Sequence, residues 1–139
     1  MELLSAAVLC LAANVFFEAR NQDHDGQLAV MEVTQIRMDD HRYPDTICEV
    51  VHQPYAFSWT QDGASNDPNT YRNHADQIVY KQILRNAESF YNDPDKRLSG
   101  TTSTHYYKKG TKVPSWEKAF DYDGQRGDHL FFTNNTPYR

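Results

Sequence analysis

An apolar segment with helical spacing ends in a carboxylate, and this feature constrains the fold more than any other. Residues 2–19 place apolar side chains at helical intervals, at Leu4, Val8, Leu11, Val15 and Ala19. Glu18 stands at the end of this run, directly after two phenylalanines. Apolar neighbours disfavour the ionised form of a carboxyl group, so a buried Glu18 would keep its proton near neutral pH. A solvated Glu18 paired with Arg20 is the structural alternative.

Three further segments are predicted to be helical. A second helix is expected to continue to about residue 38, with Asp25 as its N-cap. A short third helix is expected to start at Tyr43-Pro44, because proline suits the first turn of a helix. The clearest pattern covers residues 73–91 and predicts one shared apolar face, made of Ile78, Val79, Ile83, Ala87 and Phe90.

The last third of the chain changes character. Aromatic and β-branched residues predict strands over residues 101–107, 120–123 and 130–133, with Asp123-Gly124 between the last two and Gly127 in the loop. Helices followed by a small antiparallel sheet indicate the α+β class, mostly helical in its N-terminal two-thirds. A length of 139 residues suits a single domain over residues 1–139.

Composition and charge exclude several classes of partner. The formal net charge is −5 and no basic stripe occurs, so we expect no nucleic-acid binding. The apolar start is too short to span a bilayer and lacks a basic leader and a cleavage site, so neither stable membrane insertion nor a signal peptide is expected. The 9 Tyr, 7 Phe and 2 Trp could fill a core or line a binding groove. We expect a monomer.

The cysteine and histidine patterns indicate no metal site. Cys10 and Cys48 belong to no C-x-x-C motif, and two buried thiols are the preferred interpretation, with a disulfide as the alternative. The six histidines form no ligand pair at known spacing. No phosphate-binding loop is present, so we expect neither a metal ion nor a cofactor.

An ordered set of short motifs resembles the spore-cortex-lytic, cell wall hydrolase family. No single motif is decisive, but the set spans almost the whole chain: Cys10-Leu11-Ala12, Phe17-Glu18-Ala19-Arg20, Gly26-Gln27-Leu28-Ala29-Val30, Arg37, Tyr43-Pro44-Asp45-Thr46-Ile47-Cys48-Glu49-Val50-Val51, Gln53-Pro54, Phe57-Ser58, Thr104-His105-Tyr106, Pro114-Ser115-Trp116 and Gly127-Asp128-His129-Leu130-Phe131.

This resemblance implies a lysozyme-like fold and a catalytic domain that cleaves peptidoglycan glycan strands between N-acetylmuramic acid and N-acetylglucosamine. The implied catalytic residue is Glu18, and the implied reaction is that of a lytic transglycosylase, which needs one carboxyl group. A hydrolysing muramidase and a non-catalytic peptidoglycan-binding module are the alternatives. Glu32, Asp45 and Glu49 are candidates by type for a second carboxylate, but solvated helix faces explain them better. The compact chain resembles a phage endolysin, made in the host cytoplasm and acting on the wall after release.

Five further residues are predicted to bind substrate beside Glu18. They lie in motifs that match the family and carry aromatic, hydroxyl or amide groups: Gln53, Phe57, Ser58, Tyr106 and Trp116. Packing in the core is the alternative for the aromatic members.

Overall fold

Helices come first and strands last in the computed structural model, which describes residues 5–53, 57, 59, 73–93 and 102–136. Within these residues the helices are α1 (Ala6–Ala19), α2 (His24–Asp39), α3 (Ile47–Val51) and α4 (His74–Asn92). The strands are β1 (His105–Lys108), β2 (Asp121–Arg126) and β3 (His129–Thr133). Strand β3 lies in the centre and pairs antiparallel with both neighbours. The α+β prediction is therefore confirmed.

The helix starts are set by capping side chains. Asp23, and not the predicted Asp25, caps α2 by accepting a hydrogen bond from the Gly26 N–H at 2.8 Å. Helix α3 begins after Thr46, whose hydroxyl accepts from the Glu49 N–H, so the predicted start at Tyr43-Pro44 is wrong. In both places a side-chain oxygen satisfies a backbone donor that the first helical turn leaves unpaired.

The helical core forms around α1, which packs against α2, α3 and α4. Phe16 and Phe90 are among its largest fully buried side chains. Helix α4 buries a stripe that includes Tyr80 and Ile83, whereas Ile78 is 46% exposed. The prediction that Ile78 belongs to the buried face is wrong, because two helical positions turn its side chain by about 200° from Tyr80. None of the described helices has the length and apolar character needed to cross a bilayer.

A disulfide joins Cys10 of α1 to Cys48 of α3. The preferred interpretation of two thiols is therefore wrong. The bond closes a sequence separation of 38 residues, and it fastens α3 to the helix that carries Glu18. Such a cross-link stabilises the fold mainly by restricting the unfolded chain.

The turn at Gly127 agrees with the prediction, but the structure differs at Asp123-Gly124. Gly124 lies inside β2 at a register shift next to Tyr122, with a φ of 121°, so Asp123-Gly124 forms a bulge and not the loop between strands. The turn lies at Gly127, whose φ is 56°. Strand β1 starts at His105, later than predicted, although the Thr104 N–H still donates to the Phe132 carbonyl at 2.9 Å.

Candidate active site

Glu18 is the penultimate residue of α1 and lines a cleft of about 880 Å³, called here the Glu18 cleft. The end of α1 and the loop after it form one wall. Strand β1, His129 of β3 and the segment from Thr111 to Trp116 contribute the other side, while Arg37 of α2 also lines it. The cleft thus lies between the helices and the sheet.

The environment of Glu18 keeps its carboxyl group protonated near neutral pH. Burial raises the pKa of Glu18 to about 7, and the positive charge of Arg37 opposes this rise. At this pKa roughly half of the molecules carry a protonated Glu18 at pH 7. Glu18 is half-buried in the wall of the cleft, which disagrees with the solvated alternative. The group can act as a proton donor and, once ionised, as an acceptor.

Arg37 is a buried cation in the last turn of α2, only 5% exposed. Its Nε–H donates to the Thr104 carbonyl, and its guanidinium lies 5.1 Å from the ring centre of Phe57 and 5.6 Å from that of Tyr43. These contacts fix a positive charge beside the cleft. Sequence reasoning missed this residue as part of the site, although its place on an otherwise buried helix was a usable signal.

Tyr106 presents a buried hydroxyl close to Glu18. Burial raises the pKa of the Tyr106 phenol well above its usual value, the Glu18 charge raises it further, and the positive charge of Arg37 lowers it. The phenol is therefore neutral. Its hydroxyl has no hydrogen-bond partner within the described part of the chain. Tyr106 itself lines the cleft, so this neutral phenol belongs to the wall beside Glu18.

Asn14 lies one helical turn before Glu18 and adds a second unsatisfied polar group. Its side-chain oxygen accepts a hydrogen bond from the Trp59 indole N–H at 2.9 Å. Its amide nitrogen is buried without a partner among the residues described, and it does not reach hydrogen-bonding geometry with the Tyr106 hydroxyl. Asn14 is 0% exposed and does not line the cleft, so its amide packs behind Glu18 and does not contact a ligand there.

Two histidines of the cleft are neutral at physiological pH. Burial, followed by the charges of Arg37 and Arg42, lowers the pKa of His105 to about 3. His129 is 2% exposed, and burial is also the main cause that lowers its pKa. The His129 ring packs edge-on against Tyr106 at 5.2 Å. Within the described ranges, no group of three His, Cys, Asp or Glu side chains is arranged to hold a metal ion.

Glu18 is the sole carboxylate among the described residues that line the cleft. Asp45 and Glu49 are exposed on the surface, as predicted. Glu32 is only 5% exposed, so the solvated helix face proposed for it is wrong. None of these three residues lines the cleft.

Four of the five predicted substrate-binding residues line the same cleft as Glu18, namely Gln53, Phe57, Tyr106 and Trp116. Ser58 lies outside the described residues. Phe57 is 4% exposed and belongs to the helical core, so it offers little surface to a ligand. Trp116 stacks on Phe120 at 5.7 Å and is half-buried. The substrate contacts of all five stay predictions.

Known proteins resemble this chain in sequence. A family model described as Cell Wall Hydrolase matches residues 21–132. A spore cortex-lytic enzyme of Oceanobacillus iheyensis is 34% identical over 93 residues, and one of Halalkalibacterium halodurans is 29% identical over 92 residues. Each match covers 65% of this chain but 33% and 28% of those relatives, so the chain spans about a third of their length.

Solved structures resemble it in fold. The catalytic domain of the germination-specific lytic transglycosylase SleB from Bacillus anthracis superposes with a TM-score of 0.65, covering 96% of this chain and 99% of that domain. The catalytic domain of the Bacillus cereus SleB protein gives a TM-score of 0.60 and coverages of 96% and 94%. Sequence identity is 20% in both cases, so the likeness establishes the fold, which agrees with the fold that the resemblance implied.

Proposed function

Because this chain belongs to the cell wall hydrolase family, we propose that it is a lytic transglycosylase that cleaves the β-1,4 bond between N-acetylmuramic acid and N-acetylglucosamine, with Glu18 as general acid and base. The family match begins at residue 21. The role proposed for Glu18 therefore rests on its place and protonation in the cleft, together with the matching motif around it.

The observation that carries this proposal is the sole carboxylate in the described lining of the cleft. Glycosidases that use water generally need two carboxyl groups, one to protonate the leaving oxygen and one to serve as base or nucleophile. A transglycosylase needs only one, because a hydroxyl group of the substrate supplies the nucleophile. A cleft with one protonated carboxyl group favours the second reaction.

The reaction begins with protonated Glu18. Its proton passes to the glycosidic oxygen as the bond from the muramic anomeric carbon to that oxygen breaks, which releases the N-acetylglucosamine hydroxyl. The ionised Glu18 then takes the proton of the muramic 6-hydroxyl while that oxygen bonds to the anomeric carbon. The product is a 1,6-anhydromuramic end, and Glu18 is again protonated, so no water is consumed.

Neighbouring groups support both halves of this cycle. The charge of Arg37 stabilises the ionised form of Glu18 between the two proton transfers. Tyr106 also lines the cleft, and we assign its neutral hydroxyl as a polar group beside the reacting sugar. The biological setting that we propose is phage lysis or cell wall remodelling.

Mass spectrometry of digested peptidoglycan tests the reaction type. Transglycosylation predicts fragments that end in 1,6-anhydromuramic acid, each one water lighter than a muramidase product. Fragments that end in reducing muramic acid would instead establish the hydrolysing alternative. Binding to peptidoglycan with neither product would establish the non-catalytic module.

A further inference from the structure

A second concave surface adjoins the Glu18 cleft. This surface, called here the side groove, has a volume of about 520 Å³ and is formed by the start of α2, the loop before it and α4. Arg20 and Gln22 line both the cleft and the side groove. A substrate bound at Glu18 can therefore extend directly into the side groove.

Hydrogen-bond donors dominate the side groove. Its described lining contains no carboxylate, in a chain whose net charge is −5. The polar members include His24, Gln82, Arg85 and Asn86 besides the two shared residues. Asp76 lies just outside, where its carboxylate is 3.8 Å from the Arg20 Nε. Gln22 donates to Asp128, and Arg20 lies beside Asp76, so Arg85 is the cation of the groove that can meet a ligand carboxylate.

The side groove also differs from the cleft in that its described lining has no large aromatic side chain. The described residues that line the groove include no phenylalanine, tyrosine or tryptophan, whereas the cleft presents Tyr43, Tyr107 and Trp116. Aromatic faces are the usual means of stacking a sugar ring. The composition therefore favours a charged ligand in the groove over a continued glycan strand.

We propose that the side groove binds carboxylates of the peptide stem that peptidoglycan carries on its muramic acid. This inference rests on the proposed function. The bond cleaved at Glu18 belongs to a muramic acid residue, whose lactyl group carries the peptide, so that peptide leaves the glycan close to the cleft. Arg85 then becomes a specificity-determining residue that selects glycan with anionic peptides.

The test compares two forms of one soluble, uncrosslinked peptidoglycan. One form keeps its peptide carboxylates, and the other has them converted to amides with carbodiimide and ammonia. We expect the wild type to cleave the amidated form with a kcat/KM about fivefold lower, the upper range for a solvent-exposed ion pair. Arg85→Gln should show that same loss on the untreated form and no further loss after amidation. Arg85→Glu should lose more on the untreated form, because it repels the carboxylates.

Lys81→Gln is the matched control, since Lys81 is an exposed cation of α4 that does not line the side groove. It should keep the wild-type preference. Equal cleavage of both forms by the wild type would overturn the inference while leaving the proposed function intact. An equal loss on both forms in Arg85→Gln would overturn it in favour of a glycan subsite. Cleavage of neither form by the wild type would contradict the proposed function itself.

Discussion

Gln22 and Asp128 exchange two hydrogen bonds that join the loop after α1 to the turn between β2 and β3. The Gln22 amide donates to the Asp128 carboxylate at 3.1 Å, and the Asp128 backbone N–H donates to the Gln22 side-chain oxygen at 3.0 Å. The first element follows Glu18 and the second precedes His129. This pair of bonds therefore sets the spacing between the two walls of the Glu18 cleft.

Gly127 is the residue that makes this pairing possible, and Gly127→Ala tests it. A Cβ at this position would overlap the Gln22 side-chain oxygen, and the φ of 56° is one that alanine adopts at a cost. We expect a loss of about 1–2 kcal/mol in the free energy of unfolding, measured by denaturant titration. Gly110→Ala is the control, because Gly110 also has a positive φ, of 88°, but open space around it. Equal losses in the two variants would show that the Gln22 contact is unimportant.

The charge of Arg37 should set the alkaline limit of activity. General acid catalysis by Glu18 requires its protonated form, so kcat/KM should fall as the pH rises through about 7. Arg37 lowers the pKa of Glu18, so removing its charge in Arg37→Met should move this limb to higher pH. Arg37→Lys retains the charge and should shift it less. If kcat/KM of Arg37→Met falls at the same pH as that of the wild type, the charge of Arg37 does not influence the pKa of Glu18.

Tyr106→Phe and Tyr107→Phe should show opposite effects. The Tyr106 hydroxyl is buried without a partner among the described residues, so its removal should leave stability unchanged or improved but lower kcat by about 10²-fold. The Tyr107 hydroxyl donates to the Glu117 carboxylate at 2.8 Å. Its removal should lower stability slightly, because this hydrogen bond is lost, and spare most activity. Thermal melts measure the stability of both variants, and initial rates on peptidoglycan measure their activity. Full activity of Tyr106→Phe would show that the Tyr106 hydroxyl takes no part in catalysis.

Burial of Glu18 should also be visible in the stability of the protein. Its folded-state pKa of about 7 exceeds the ordinary value of 4.5, so the native state binds this proton more tightly than the unfolded state. The contribution of Glu18 to stability is therefore present at low pH and is lost as the pH rises from about 4.5 to about 7. The free energy of unfolding of Glu18→Gln minus that of the wild type should therefore be larger at pH 8 than at pH 4. Denaturant titrations of both proteins at pH 4 and pH 8 measure this change. The same difference between variant and wild type at the two pH values would indicate a solvated Glu18.

The sequence predicted those features that depend on local patterns. The helical spacing through residues 2–19 and 73–91 located α1 and α4, and the aromatic, β-branched segments located the sheet. Errors arose where neighbours compete for one role. Asp23 and Asp25 are both good caps, and only the position of the first turn shows that Asp23 accepts from Gly26. Gly127 was correctly expected in the loop, but Asp123-Gly124 was expected there too, and strand pairing places Gly124 in a bulge inside β2.

Long-range features were less accessible. The pairing of Cys10 with Cys48 depends on how α1 and α3 pack, which no local pattern contains. The Asn14 amide and the Arg37 guanidinium become buried only when α1, α2 and β1 pack together. Glu18 was singled out by the family motif around it, since its local spacing alone also fits a surface residue, and its burial arises from the packed cleft.

Glycan cleavage by Glu18→Gln is the most direct test of the account. The substitution removes the transferable proton with almost no change in volume, and the loss expected for a general acid is about 10²–10⁴-fold in kcat. The rate of release of 1,6-anhydromuramic ends is compared between this variant and the wild type, with peptidoglycan binding measured in parallel. We predict that binding persists while cleavage falls by at least about 10²-fold. A variant that cleaves within a few-fold of the wild type would contradict the assignment of Glu18 as the acid.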